Sequence, residues 1–186
     1  MDHKQSFAEQ QEIAIYWFNK SSDLRGAAGA LWVSCDDDIS EQVVVRCGLW
    51  GGFRLSAAVP SVYLMLAGMS LELLYKSIIV ATGHDVPHTH DLERLASLAG
   101  VAVGEVDRGL LKILTGASVW HGRYPVPKTM EAFKELSDLK QQYLFTTKPL
   151  GGRFVVSTPN RALAWEGFDR LWGEAAPRFW RKYRPR

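Results

Sequence analysis

Residues 62–81, VYLMLAGMSLELLYKSIIVA, decide the fold of this chain. Apolar side chains occupy nearly every helical face of the stretch, which is typical of a helix buried in a helical domain or in a membrane. A membrane span needs roughly 20 largely uncharged residues, whereas Glu72 and Lys76 interrupt this run near its middle. The stretch therefore predicts the central, buried helix of a soluble all-α domain.

Glu72 and Lys76 are spaced as an ion pair along that helix, four residues apart with the glutamate first. Charges in so apolar a helix are costly to bury unless they are paired. Two interpretations stay open: a structural pair or partly exposed stripe, and a functional pair. The small residues Ala67, Gly68 and Ser70 predict that a neighbouring helix comes close here.

A turn and a short helix follow, in the sequence TGHDVPHTHDLERL at 82–95. Gly83 is typical of a helix end, since glycine adopts the left-handed conformation without strain. Either Thr89 or Asp91 then caps a short helix over residues 92–98.

A second amphipathic helix is predicted over residues 105–121. It ends in the sequence HGRYP, because the residue before Pro125 is disfavoured in the α region.

These segments together resemble the HEPN family (higher eukaryotes and prokaryotes, nucleotide-binding). The resemblance is carried by ELLYK in the buried helix, a glycine turn, PHTHDL, a helical stretch and a terminal RYP, and it covers residues 58–127. It implies a small α-helical bundle that works as a homodimer, with its polar ends meeting across a two-fold axis. It also implies an RNA- or nucleotide-associated role, in a toxin–antitoxin or defence system.

Many HEPN domains are metal-independent ribonucleases whose site is an arginine followed, after a short spacer, by a histidine. Arginine stabilises phosphate charge, and histidine serves as a general acid or base near neutral pH. This chain departs from the pattern, because no arginine is followed by a histidine after four to six intervening residues. The nearest basic pair, His121 and Arg123, has the reverse order, and both residues are candidates for a catalytic site.

The RYP ending instead resembles HEPN members that accompany minimal nucleotidyltransferases or bind nucleotides. It implies that Arg123 contacts phosphate or RNA and that Tyr124 stacks on a base. Lys76, Glu72 and His90 complete the predicted binding site. The alternative for Arg123 is a cation that complements the dipole of the helix end, whatever the function.

Two functions from different classes follow. The first is an RNA- or nucleotide-associated, HEPN-like protein, for which the resemblance implies ribonuclease activity as one option. The second is a non-catalytic binding or scaffold module that partners a separately encoded nucleotidyltransferase. The missing arginine-to-histidine spacing favours the module over a ribonuclease.

No metal or cofactor is predicted. His84, His88 and His90 accompany Asp85 and Asp91, but their spacing crosses a proline-bearing loop and fits no familiar zinc pattern. The glycine-rich segments also lack the strand–loop–helix context of a phosphate-binding loop.

Length and composition favour one cytoplasmic domain. The 186 residues suit a single HEPN-like domain with an insertion at 36–57 and a C-terminal extension at 143–186. Cys35 and Cys47 are too few for a disulfide framework or a zinc site, and the first residues lack the apolar core of a signal peptide. We therefore expect free thiols, a cytoplasmic location and no membrane.

The fold predicted from these patterns is an all-α, up-and-down helical bundle of about five main helices, with a small β-hairpin near residues 143–157. The other elements are a first helix at 6–33, a strand or irregular loop at 39–57 with a helix as the alternative, a helix at 129–142, and a last helix from Thr158 that Pro177 ends.

The last residues, 178–186, combine five cations with Phe179, Trp180 and Tyr183. Cations that meet phosphates and rings that stack on bases are typical of a segment that contacts nucleic acid. The alternative is a frayed, solvated terminus whose Phe179 and Trp180 dock on the bundle.

Overall fold

The computed structural model describes residues 12–121, 129–149, 155–159 and 163–184. Within them the chain is an all-α helical bundle, which confirms the predicted fold class. The helices are α1 (Ala14–Val33), α2 (Asp37–Arg46), α3 (Leu55–Ala81), α4 (Leu92–Leu98), α5 (Glu105–Gly116), α6 (Met130–Leu144) and α7 (Trp165–Lys182). A π-helix, Ala117–His121, continues α5 directly, and two strands, β1 (Phe145–Pro149) and β2 (Val155–Pro159), lie between α6 and α7.

The central element is α3, and α1 packs antiparallel along it. Trp32, near the end of α1, contacts Tyr63, near the start of α3, with ring centroids 5.3 Å apart. Further along, Ser21 Oγ donates to the Ser70 carbonyl at 2.8 Å, and Ser70 Oγ donates to the Ser21 carbonyl at 2.8 Å. Two backbones can share such reciprocal bonds only when they lie close together, which these small side chains permit.

The last helix, α7, completes the core by packing against both α3 and α1, and its Phe168 meets Tyr63 of α3 with ring centroids 6.4 Å apart. Trp172 Nε1 donates to Ser21 Oγ at 3.1 Å, and the ring of Phe179 stacks on Phe18 with centroids 4.3 Å apart. Since later residues of α7 meet earlier residues of α1, the two helices run antiparallel. The guanidinium of Arg25 lies 4.4 Å from the centre of the Trp172 ring and adds a cation–π contact.

Two buried tyrosines of α3, Tyr63 and Tyr75, carry hydroxyl groups without a hydrogen-bond partner among the described residues. Burial raises the pKa of the Tyr75 phenol well above its usual range, and the nearby carboxylates of Asp107 and Glu174 raise it further. The buried environment of Tyr75 therefore favours the neutral, protonated phenol.

The segment at 39–57 is helical at 39–46 and again from residue 55, so the helical alternative was right there, whereas residues 47–54 form the irregular loop that was preferred and no residue of the segment forms a strand. Asp36 caps α2 by accepting from the Asp38 backbone N–H at 3.1 Å. Acidic residues in the first turn and Arg46 in the last turn complement the helix dipole. These end effects outweigh the strand preference of the three consecutive valines, and no residue of α2 is buried.

The predicted hairpin is present, displaced by two residues. β1 and β2 pair antiparallel with Phe145 opposite Pro159 and Pro149 opposite Val155. This pairing corrects the start of the last helix, because Thr158 lies opposite Thr146 in the ladder and does not cap a helix. The described part of α7 begins at Trp165 instead.

Pro177 does not end α7, contrary to the prediction. The helix continues through it to Lys182, with Ala176 and Phe179 buried on either side. Proline removes one N–H and crowds the carbonyl four residues earlier, which here belongs to the exposed Gly173. The burial of Phe179 holds the chain helical beyond this local defect.

The first helix, predicted at 6–33, is confirmed over Ala14–Val33; residues 12 and 13 are not helical, and residues 6–11 lie outside the described residues. The third helix, α3, is long and apolar enough to cross a membrane by length and composition alone, and 61% of its most apolar window is buried inside the bundle. That burial is compatible with the core helix of a soluble protein.

Candidate functional site

The site starts from the ion pair on α3. Lys76 Nζ donates to Glu72 Oε1 at 2.8 Å, and each residue is only 7% exposed. The pair forms because the two residues are one helical turn apart in the favourable order. At this depth neither charge is stable without its partner, so the partly exposed stripe is ruled out.

The loop after α3 brings a third side chain to the pair. Gly83 has φ +83°, a left-handed conformation that suits glycine, and it turns the chain out of the helix. His90 then reaches back, placing its Nδ1 3.0 Å from both Glu72 Oε1 and Oε2. One buried carboxylate thus joins an ammonium and an imidazole from two distant stretches of sequence.

The start of α4 keeps His90 in place. Asp91 caps this helix by accepting from the Glu93 and Arg94 backbone N–H groups at 3.0 and 3.1 Å. Leu92 N donates to Thr115 Oγ1 of α5 at 3.1 Å. Of the two predicted caps, Asp91 is the one that bonds the helix N–H groups. These bonds fix Asp91 and thereby hold His90, the residue before it, in place.

The pairing defines what the imidazole of His90 can do. An ionised carboxylate only accepts hydrogen bonds, so Nδ1 of His90 carries the proton that it shares with Glu72. In the neutral imidazole this leaves Nε2 as an acceptor. With a side chain that is 67% exposed, His90 can exchange a proton with a ligand or bond to it while Glu72 sets its orientation.

Two grooves meet at this cluster, and His90 lines both. The first has a volume of about 420 Å³, and it is lined by Met65, Met69, Glu72, Leu73, His90 and Ser118. The second, of about 790 Å³, is lined by Glu12 just before α1, Trp17 near the start of α1, Lys76 and Val80 from α3, and the loop residues 83–90. Each is large enough for a nucleotide-sized ligand.

The π-helix reaches the first groove because α3 and α5 touch at Gly68. A Cβ on Gly68 would lie 2.6 Å from the Leu114 carbonyl oxygen and 3.2 Å from Ser118 Cβ. Only glycine permits this approach, which confirms the predicted close contact at the small residues of α3. The contact sets Ser118 beside Met65 at the edge of the groove.

Of the predicted site residues, the structure brings together Glu72, Lys76 and His90. His121 ends the π-helix by its backbone, and its side chain lies outside the described residues. Arg123 and Tyr124 also lie outside them, so their roles stay predictions.

The sequence did not single out Met65, Met69, Ser118 or Trp17 as site residues. The face of α3 that carries Met65 and Met69 was predicted to be buried, whereas Met69 is 36% exposed and both line the first groove. Their spacing of four residues, with Glu72 and Leu73 following on the same side, was the available signal. It indicates a shared face but not whether another helix covers that face.

In the part of the chain that the structure describes, no group of three or more His, Cys, Asp or Glu side chains is arranged to hold a metal ion. His84 Nδ1 lies 3.0 Å from Thr82 Oγ1, and His84, Asp85 and His88 are exposed.

No family model, no curated protein and no solved structure matches this chain. The resemblance to HEPN domains therefore rests on the short motifs alone, and two of those motifs supply Glu72, Lys76 and His90.

Proposed function

We propose that this protein is an RNA- or nucleotide-associated, HEPN-like protein that holds its ligand at the cluster of Glu72, Lys76 and His90. One observation carries the proposal. The buried Glu72 carboxylate binds Lys76 at 2.8 Å and His90 at 3.0 Å where two grooves meet. The motifs ELLYK and PHTHDL, which are separate in the sequence, thus form one polar centre.

A purely structural role would need only the ion pair. His90 adds a largely exposed imidazole to a carboxylate that Lys76 already neutralises. Imidazole and ammonium groups both bond phosphate and base oxygens, and the thioethers of Met65 and Met69 offer an apolar surface to a base. The adjoining π-helix supports this site further, since such turns are frequent at functional positions.

For a catalytic form of the proposal, His90 is the general acid or base and Glu72 orients it. A nuclease also needs a group that stabilises the charge on phosphate, and the resemblance assigns this to Arg123, with Tyr124 stacking on the base. We place the protein in the cytoplasm as a homodimer, within a toxin–antitoxin or defence system. The free thiols of Cys35 and Cys47 agree with a reducing compartment.

Total RNA incubated with the protein in EDTA tests this function, alongside binding of labelled RNA. We expect His90→Ala and Arg123→Ala each to lower binding or cleavage at least about tenfold, which corresponds to one lost charge-assisted hydrogen bond. Lys112→Ala, which changes an exposed cation of α5 that lines neither groove, should leave both unchanged. If RNA and nucleotides bind equally to wild type and His90→Ala, the proposed site is wrong.

A second candidate is the non-catalytic module that partners a nucleotidyltransferase. It is favoured because no arginine lines either groove in the described part of the chain. In this case RNA stays intact with wild type, and the protein co-purifies with the nucleotidyltransferase encoded beside its gene. Light scattering at micromolar concentration measures the dimer, and a strict monomer would remove the shared site from the proposal.

A further inference from the structure

The C-terminal end of α7 lies at the same end of the bundle as the second groove. Trp17 lines the second groove, and its neighbour Phe18 stacks on Phe179 of α7 with centroids 4.3 Å apart. The next ring of α7, Trp180, meets Phe18 edge-on at 4.8 Å. The second groove and Trp180 therefore contact adjacent residues of α1.

Trp180 is held as a fixed, half-exposed ring. Phe179 and Tyr183 contact it at 5.0 and 6.1 Å between centroids, both with steeply inclined planes, yet 54% of Trp180 remains exposed. Phe179 itself is fully buried. The predicted docking of Phe179 is therefore correct, and Trp180 is left as a platform on which a planar group can stack.

Cations follow this ring directly in the chain. Arg181, Lys182 and Arg184 are exposed, and no acidic side chain pairs with them among the described residues. Arg184 donates instead to the carbonyls of Arg181 and Tyr183 at 3.4 and 3.2 Å. Earlier on α7, Arg170 is neutralised by two carboxylates. The positive charge of α7 that has no acidic partner among the described residues is therefore concentrated at its C-terminal end.

We propose that the end of α7 is a second contact for the ligand of the grooves, and that this ligand is a single-stranded RNA of several nucleotides. A base stacks on Trp180 while neighbouring phosphates lie against Arg181, Lys182 and Arg184, the combination by which proteins bind single strands without reading their sequence. The proposal rests on the proposed function for the groove end of the strand. An anionic membrane is the other surface that attracts cations and tryptophan, but it is disfavoured because Trp180 alone is exposed while Phe179 is buried.

The test compares two labelled oligouridylates, one of 3 and one of 12 nucleotides, in binding to the full chain. Trp180→Ala should weaken the 12-mer at least about fivefold, the loss expected for one stacked base, and leave the 3-mer unchanged. Lys76→Met, made together with Glu72→Gln so that no buried charge is left unpaired, should weaken both. Because Trp180→Ala also loses ring contacts to Phe18, the double variant Arg181→Gln/Lys182→Gln provides a second measure at exposed positions.

Salt dependence makes that second measure quantitative. Neutralising two phosphate contacts should flatten the slope of log Kd against log salt by about 1.4. The matched control, Lys112→Gln/Lys134→Gln, changes the charge equally at exposed positions of α5 and α6 and should leave the slope unchanged.

Each outcome decides at least one of the two proposals, the groove site and the second contact at the end of α7. A 12-mer that binds equally to wild type and both α7 variants overturns the second contact and leaves the groove function standing. A 12-mer that depends on α7 but not on the pair of Glu72 and Lys76 supports the contact and removes the groove. If neither oligomer binds, both fail. Binding of wild type, but of neither α7 variant, to phosphatidylserine vesicles, together with no RNA binding, assigns the surface to a membrane instead.

Discussion

Replacing Glu72 with glutamine removes the charge that joins the candidate site, and the structure predicts a large loss of stability. The side chains of Glu72 and Lys76 are at most 10% exposed, and their charged atoms are 2.8 Å apart. Breaking a buried pair by removing one partner costs about 3–5 kcal/mol. Because glutamine still offers Lys76 one carbonyl oxygen, we expect the lower figure, about 3 kcal/mol, and a fall in Tm of about 6–12 °C.

Urea unfolding followed by far-ultraviolet circular dichroism measures this loss of free energy. The double variant Glu72→Gln/Lys76→Met should cost at least about 1.5 kcal/mol less than the sum of the two single variants, because it leaves no unpaired charge. Glu93→Gln is the control: its carboxylate is exposed and lies 3.7 Å from Arg108, so its loss should stay below about 0.5 kcal/mol. If Glu72→Gln matched this control, or if the two single losses simply added, the ion pair would not be a desolvated unit and the argument would be refuted.

Three further predictions concern the core. Gly68→Ala should destabilise the fold by about 1–2 kcal/mol, since its Cβ would lie 2.6 Å from the Leu114 oxygen and overpacking outweighs the better helix propensity of alanine; a denaturation midpoint equal to wild type would contradict the close contact. Tyr75→Phe should be neutral or stabilising by up to about 1 kcal/mol, because the buried hydroxyl has no partner among the described residues. The pKa of the Tyr75 phenol is raised above its ordinary value of 10.0, so the folded state keeps its proton while the unfolded state loses it. Stability is therefore full below pH 10 and falls above it; this fall should be smaller in Tyr75→Phe, and an equal fall in both proteins would count against a buried neutral phenol. Phe179→Ala should cost about 3 kcal/mol, because the ring is fully buried against Phe18, and a Tm within 2 °C of wild type, by the usual scale of about 2–4 °C per kcal/mol, would show that the end of α7 is not docked.

Short-range signals predicted the elements that local chemistry controls. The end of α3 follows from Gly83, which has the positive φ that its type permits. The start of α4 follows from Asp91, whose carboxylate accepts the first free N–H groups of the helix. Asp91 accepts hydrogen bonds from backbone N–H groups, and Gly83 allows a positive φ because it lacks a Cβ. Both effects are local, so the positions of these helix ends hardly depend on distant residues.

Predictions failed where two local preferences competed or where distant packing overrode one. The valines of α2 favour a strand, but the aspartates at its start and Arg46 at its end stabilise a helix. Pro177 disfavours a helix by about 3 kcal/mol, which the burial of Phe179 and its neighbours offsets. Thr158 has the chemistry of a helix cap, yet pairing with Thr146 places it in a strand.

The sequence by itself determined that this protein is a helical bundle, that residues 62–81 form its central helix, and that Glu72 and Lys76 pair within it, because helical periodicity and a spacing of four residues are properties of the chain alone. The tertiary structure decided that His90 joins the pair, that Met65 and Met69 remain uncovered, and that Trp180 lies at the same end as the second groove. The physical reason is that these features depend on which helices cover a given face and on where a loop returns. Those are set by long-range packing, such as the contact of Gly68 with Leu114, and not by the residues of the site.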